Sequence, residues 1–165
     1  MKKIIISFVL SICLVLALVG CDNKYNPFTV GASAGTTASG KPLSAGEITS
    51  KLQDAHLPIT GVVVYTDETD DNKLLGRPNQ YISKANFADT RLSQVDITDP
   101  DGGSVETFKN ASNLTARKTY IEKIFKDSPM FTEYLIVNGN YLLRLNKDLT
   151  AAQVEEYKTA FMAVE

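Results

Sequence analysis

Few side chains in this 165-residue chain are suited to catalysis, which limits the reactions it could carry out. There is one histidine, His56, and there are two cysteines, Cys13 and Cys21. His56 lies at the end of a predicted helix, where a donor side chain satisfies terminal carbonyl groups. No Gly-x-Ser-x-Gly elbow accompanies it, and the cysteine count is too low for a Cys/His zinc site. We therefore expect His56 to be structural and the protein not to be an enzyme.

Two acidic loops contain the best candidate ligands for a metal ion. The first has Asp67 and Asp71 at a spacing typical of oxygen-ligand loops, but Asn72 and Pro78 replace the glycine and glutamate that an EF-hand requires. The second, Asp99-Pro100-Asp101-Gly102, has the composition of a tight turn, which needs no ion to form. We expect both loops to be solvated. Weak calcium binding through Asp67, Asp71, Asp99 and Asp101 remains an alternative. Apart from that alternative, we expect the protein to bind no metal ion.

A short segment between the acidic loop and the next strand has the composition of a contact surface. Gly76 and Pro78 restrict the backbone around one arginine, and polar and aromatic residues follow. An arginine beside an aromatic ring suits the recognition of carboxylates or proteins. The predicted contact surface consists of Arg77, Asn79, Gln80 and Tyr81. In the alternative, the segment is a structured loop in which Arg77 pairs with Asp70 or Asp71.

The N-terminus has the pattern of a secretory leader. Lys2 and Lys3 precede an apolar run, and small residues lead to Cys21. The residues Leu18-Val19-Gly20-Cys21 resemble the lipobox of bacterial lipoproteins. The resemblance implies a signal peptide over residues 1–20, a diacylglyceryl group on the Cys21 thiol and cleavage just before that cysteine. The alternatives are an uncleaved transmembrane helix, for which the apolar run is at the short limit, and an ordinary secretory signal.

Composition divides the rest of the chain into a tether and one domain. Residues 21–43 are rich in Gly, Ser, Thr and Ala and predict a flexible tether, whereas residues 44–165 have the size of one domain. Removal of the leader takes away two lysines and no acidic residue, so the formal charge falls from −2 to −4. Such a chain has no basic surplus for nucleic acid. With Cys13 removed and Cys21 acylated, no disulfide could support the fold.

Three helices are predicted from their start signals and apolar spacing. Ser44 with Glu47, and Thr150 with Gln153, match the capping box that begins a helix. Another helix is expected over residues 112–126. Its expected buried face carries Ala116, Tyr120 and Ile124, flanked by Ile121 and Phe125. For the last helix the expected buried face carries Val154, Tyr157, Phe161 and Val164.

Five strands complete the predicted order α-β-β-β-α-β-β-α. Residues 61–66 are expected to form a buried strand, because β-branched residues dominate them. Alternation in residues 81–87 predicts a strand with Lys84 and Asn86 facing outward. Its expected inner face carries Tyr81, Ser83, Ala85 and Phe87. A third strand is expected at 104–108, and a hairpin around Asn138-Gly139 joins the last two, at 133–137 and 140–145. The expected fold is α+β: a single domain with a mainly antiparallel sheet and helices packed on one face.

A second resemblance extends into this domain. The residues Leu75-Gly76-Arg77-Pro78, the segment 81–89 and the residues Gly103-Ser104-Val105-Glu106 are similar to those of small lipoproteins of Gram-positive bacteria. The similarity covers most of residues 45–160 and implies the same one-domain layout.

Together these patterns predict a lipoprotein at the outer face of the cytoplasmic membrane. Its partners would be the lipid bilayer, through acylated Cys21, and a protein or small molecule bound by the domain. We expect a binding or accessory module with no cofactor besides the covalent diacylglyceryl group. Two alternatives remain: a small hydrolase or metal-dependent enzyme that uses the acidic loops, and an immunity or exclusion lipoprotein.

Overall fold

A computed structural model describes residues 41–96 and 98–165 of the chain. The leader, Cys21 and almost all of the tether lie outside these described residues, so the lipobox stays a prediction. Within the described residues, no helix combines the length and apolar character needed to cross a membrane.

The domain is built on one antiparallel sheet of five strands in the order β1-β2-β3-β5-β4. This architecture confirms the predicted α+β fold and the predicted order of its elements. The strands span Ile59–Val64 (β1), Ser83–Asp89 (β2), Gly102–Thr107 (β3), Glu133–Asn138 (β4) and Tyr141–Asn146 (β5). The last two form the predicted hairpin, in which Gly139 has a φ of 55°.

Three α-helices begin where the sequence places their caps. They span Ala45–Asp54 (α1), Ala111–Asp127 (α2) and Ala151–Met162 (α3), and a short 3₁₀ helix follows α2 at Pro129–Phe131. Both predicted capping boxes are present, at Ser44 and at Thr150. The Asn110 side chain caps α2 by accepting a hydrogen bond from the Asn113 amide. Local side-chain chemistry therefore determines where each helix starts.

One face of the sheet carries the main apolar core, formed with α1 and α3. Ile48 and Leu52 of α1 and Phe161 of α3 are fully buried against sheet residues such as Leu143 and Val105. The four residues predicted for the buried face of α3 are all buried, as the sequence predicts. We call this side of the sheet the apolar face.

Helix α2 packs against the opposite face of the sheet, which differs from the expectation that all helices share one face. Its buried residues are Leu114, Arg117 and Ile121, whereas the predicted residues Ala116 and Tyr120 are exposed. The prediction of the buried face of α2 was wrong because it considered only apolar residues and so left out Arg117. The helix instead turns Arg117 inward, where it meets a buried carboxylate on β3.

The first strand lies at the edge of the sheet, so the prediction that it is buried was wrong. Ile59 is buried, but Val62 and Val64 are exposed. The pairing of β1 with β2 is interrupted between Thr60 and Val63, at a bulge where Gly61 has a φ of 55°. A β-branched run indicates an extended backbone, but its position within the sheet depends on partners far away in the sequence.

This edge position predicts a difference between two chemically identical substitutions. Replacement Val62→Thr should change the free energy of unfolding by less than about 0.5 kcal/mol, because the new hydroxyl meets solvent. Replacement Val105→Thr should cost about 1–3 kcal/mol, because its hydroxyl is buried in the apolar core. Urea unfolding followed by circular dichroism measures both. Equal losses would contradict the edge assignment.

Candidate functional site

An open cleft of about 800 Å³ lies on the face of the sheet that α2 packs against. Strands β2, β3 and β5 contribute its floor, through residues such as Asn86, Ser104 and Arg144. One wall is formed by α2 and the 3₁₀ helix, and the other side is lined by Tyr65 with residues of the two acidic loops. The volume lies within the range typical of ligand-binding pockets.

A buried ion-pair network fixes the floor of the cleft to α2. Glu106, on the central strand β3, is fully buried and accepts two hydrogen bonds from Arg117, at 3.0 and 2.9 Å. Arg144 donates a third to Glu106 at 3.0 Å and two more to Glu133 on β4. Burial disfavours the charged guanidinium, but these carboxylates outweigh burial and raise the pKa of Arg144 above its ordinary value. The floor cations are thus neutralised within the protein.

A second buried carboxylate, Asp70, holds the first acidic loop onto the sheet. It accepts hydrogen bonds from the Tyr81 hydroxyl at 2.6 Å, from two backbone amides and from the Lys84 ammonium at 3.1 Å. Burial alone would raise the pKa of Asp70, yet these donors lower it to about 2. Lys84 also lies 4.4 Å above the centre of the Tyr65 ring. The loop is therefore locked in one position beside the cleft.

The end of the cleft near Tyr65 is rich in hydrogen-bond acceptors. The Asn86 amide group donates to the Tyr65 hydroxyl at 3.1 Å and to Asp99 at 3.3 Å. Burial, then the charges of Asp99 and Asp71, raise the pKa of Tyr65. Asn86 pairs with Ser104 across β2 and β3. We call Tyr65, Asp71, Asn86, Asp99 and Ser104 the acceptor end.

Two polar atoms at the acceptor end have no partner. Among the described residues, three buried side-chain atoms lack a hydrogen bond: Asn86 Oδ1, Ser104 Oγ and Thr107 Oγ1. The first two belong to residues that line the cleft, and Ser104 is only 8% exposed. Each buried unsatisfied polar atom costs about 1–3 kcal/mol, so such atoms are rare unless a ligand or water serves them. Their coincidence in one cleft marks it as a candidate binding site.

The wall opposite the acceptor end is apolar and partly exposed. Tyr120, Met130 and Phe131 are 57%, 73% and 59% exposed, and the half-buried Ile124 and Phe125 lie beside them along the cleft. We call these five residues the apolar wall. A contiguous exposed apolar surface beside polar groups is typical of sites for proteins or amphipathic ligands.

The predicted contact surface is only partly at the surface. Arg77 and Asn79 are exposed and Gln80 is half-buried, but Tyr81 is fully buried. The prediction that Tyr81 contributes to a contact surface was wrong, because its hydroxyl is the donor that Asp70 requires. Arg77 forms no ion pair with any described residue, so the alternative pairing with Asp70 or Asp71 is also wrong. It lies instead along a second, shallow groove of about 470 Å³.

The two acidic loops meet at the cleft, although they are distant in the sequence. Asp71, Asp99 and Asp101 line it, whereas Asp67 lies on the second groove. Within residues 41–96 and 98–165, no three His, Cys, Asp or Glu residues are grouped closely enough to hold a metal ion. The convergence of the loops adds negative charge to the acceptor end.

The sequence reasoning missed the residues that form the cleft floor. Lys84 and Asn86 are predicted to face outward, and they do point away from the apolar face, but Lys84 is buried beneath the loop and Asn86 is half-buried. The available signal was the repeated alternation of polar residues on two neighbouring strands, Lys84 and Asn86 on β2 and Ser104 and Glu106 on β3. Polar alternation usually indicates a solvated face, and only the position of α2 distinguishes a cleft.

Comparison of the chain with protein-family models, with curated proteins and with solved structures finds no match. The assignment of a function therefore depends on the geometry of the cleft and on the sequence motifs.

The Asp70 network predicts a large loss of stability from one neutralising substitution. Replacement Asp70→Asn leaves the Lys84 ammonium buried without its counter-ion, which should cost about 3–5 kcal/mol. Replacement Asp71→Asn, at the exposed neighbouring position, should cost less than about 0.5 kcal/mol. Urea unfolding at neutral pH measures both, and equal stability of the two variants would contradict the network.

The same carboxylate predicts how stability depends on acid. Because its folded pKa of about 2 lies below the ordinary value of 3.8, Asp70 stabilises the fold above about pH 4. This contribution, about 2 kcal/mol, should be lost as the pH falls towards 2. The wild type should therefore lose more stability between pH 4 and pH 2 than Asp70→Asn. Parallel profiles of the two proteins would contradict this assignment.

Proposed function

We propose that this protein is a lipid-anchored binding module, held at the outer face of the cytoplasmic membrane by Cys21, whose ligand occupies the cleft beside α2. The observation that carries the proposal is that two residues of the cleft floor, Asn86 and Ser104, each hold a buried polar atom without a partner, opposite an exposed apolar wall. A surface with both features offers specific hydrogen bonds and apolar contact to the same ligand.

The charges on the floor support binding more than catalysis. Arg117 and Arg144 are neutralised by carboxylates, and Asp70 is held ionised by its donors. A general acid requires a carboxyl group that retains its proton near neutral pH, which is the opposite of the shift at Asp70. The network therefore acts as a rigid platform, and we propose no reaction for it.

Anchoring is supported by the order of charged, apolar and small residues before Cys21. Two acyl chains on one residue suffice for stable membrane attachment, whereas one chain binds only marginally. The tether then connects the anchor to the domain that begins at Ser44.

Replacement Cys21→Ser should move the protein from the membrane fraction to the soluble or secreted fraction. The thiol that accepts the diacylglyceryl group is lost, and with it the acyl chains. Detergent partitioning and mass spectrometry of the N-terminal peptide measure the change. Replacement Cys13→Ser, within the leader, is the matched control and should leave anchoring intact. A Cys21→Ser protein that remains in the detergent phase would contradict lipid anchoring at this residue.

Site-specific cross-linking on intact cells tests the cleft as the binding surface. A photoreactive phenylalanine analogue would replace Phe131 on the apolar wall or, as a control, Met162 on α3. These side chains are similarly exposed, at 59% and 52%, but α3 packs on the apolar face of the sheet. We expect a discrete cross-linked product from position 131 that is absent at position 162 and is reduced in the Ser104→Ala background. Identical patterns from both positions would contradict the proposal.

A further inference from the structure

We infer that the acceptor end receives a cationic nitrogen, an ammonium or guanidinium group, from a basic and apolar peptide segment of a partner protein. This inference rests on the proposed function and identifies the chemistry of the ligand. Its structural basis is the juxtaposition of Ser104 Oγ and Asn86 Oδ1, which lack partners, with carboxylates that lack counter-ions.

The unpartnered atoms require a hydrogen-bond donor. Asn86 Oδ1 is a carbonyl oxygen and can only accept, and the nitrogen of the same amide donates to Tyr65 and Asp99. Ser104 Oγ can accept as well as donate, and it lies directly across from Asn86 in the pairing of β2 with β3. One donor group with several N–H bonds could therefore serve both atoms.

The charge around these atoms favours a cationic donor over a neutral one. Asp71, Asp99 and Asp101 line the cleft, and none of them forms an ion pair with another described residue. The cations beside these atoms are already paired within the protein. Arg144, which lies opposite Ser104 in the pairing of β3 with β5, is bonded to Glu106 and Glu133. Lys84 is bonded to Asp70 and lies over the Tyr65 ring, and Lys147 pairs with Asp148. The raised pKa of Tyr65 reflects, after burial, the same negative field. Hydrogen bonds from a charged donor are the stronger ones in such a setting.

The apolar wall indicates that the cation belongs to a larger, amphipathic ligand. A simple amine would leave Tyr120, Met130 and Phe131 exposed, as they are in the free protein. A peptide with apolar side chains beside its lysine or arginine would cover them. The cleft is open rather than enclosed and has room for several side chains, which suits an extended segment of a protein.

Fluorescence anisotropy with the full lipidated chain in detergent micelles tests this inference. The probe is a short labelled peptide of alternating lysine and leucine, compared with its counterpart in which glutamate replaces lysine. We expect saturable binding of the lysine peptide, and binding of the glutamate peptide at least about tenfold weaker because of repulsion by Asp71, Asp99 and Asp101.

Three variants locate the binding. Replacement Asp99→Asn should weaken binding of the lysine peptide about three- to tenfold, because a charged partner of the cation is lost. Replacement Asp67→Asn makes the same change outside the cleft and should leave the affinity unaltered. Replacement Ser104→Ala should weaken binding about fivefold while raising the midpoint of urea unfolding, since it removes an unsatisfied hydroxyl. A residue with only a structural role would not give these opposite effects.

Several results would overturn the inference. The first is equal affinity for the lysine and glutamate peptides. The second is a wild-type affinity for the lysine peptide in both Asp99→Asn and Ser104→Ala. The third is an affinity for methylammonium as high as that for the lysine peptide. A calcium-dependent rise in melting temperature that Ser104→Ala abolishes would instead identify a cation site. If the lysine peptide does not bind but position 131 still cross-links a partner on cells, the chemistry assigned to the ligand is wrong and the proposed binding function stands.

Discussion

Glu106 is the residue on which the arrangement of this domain depends. It lies on the central strand of the sheet, is fully buried, and would be strongly destabilising there without compensating charges. Arg117 supplies one charge from α2 and Arg144 supplies another from β5. Arg117 reaches this carboxylate from the side of the sheet opposite α1 and α3. On the same side, Leu114 and Ile121 of α2 pack in a buried apolar cluster with Tyr81, Phe108 and Leu142. The cleft is the part of that polar face which α2 leaves uncovered.

The features that the sequence predicts well are those determined by neighbouring residues. The capping boxes at Ser44 and Thr150 and the hairpin at Asn138-Gly139 depend on side chains a few positions apart, and all are present. Features set by contacts between distant segments were not predictable in the same way. The sequence allows Tyr81 either on the inner face of a strand or in a contact surface, and only its hydrogen bond to Asp70 decides between them. Similarly, the apolar spacing of α2 does not predict that Arg117 turns inward, because its partner Glu106 lies on another element.

The two faces of the sheet have different physical roles. The apolar face buries aliphatic and aromatic side chains and supplies the hydrophobic part of the stability, without help from any cysteine in the described residues. The opposite face combines a smaller buried apolar cluster under α2 with ion pairs whose carboxylates, Asp70 and Glu106, are inaccessible to water. Such pairs contribute modestly to stability, but they fix positions strictly, because a displaced member would leave a buried charge uncompensated. Rigid placement of this kind keeps Asn86 and Ser104 aligned beside the cleft.

The bulge at Gly61 would have a consequence under the proposed lipid anchoring. Copies anchored in this way would diffuse in one plane and collide far more often than the same number of molecules dispersed in solution. An exposed edge strand is then a hazard, because β1 of one copy could extend the sheet of the next. The break in pairing between Thr60 and Val63 bends this edge and shortens the stretch of free backbone. On a membrane surface, the irregularity would favour individual molecules over side-by-side strand assembly.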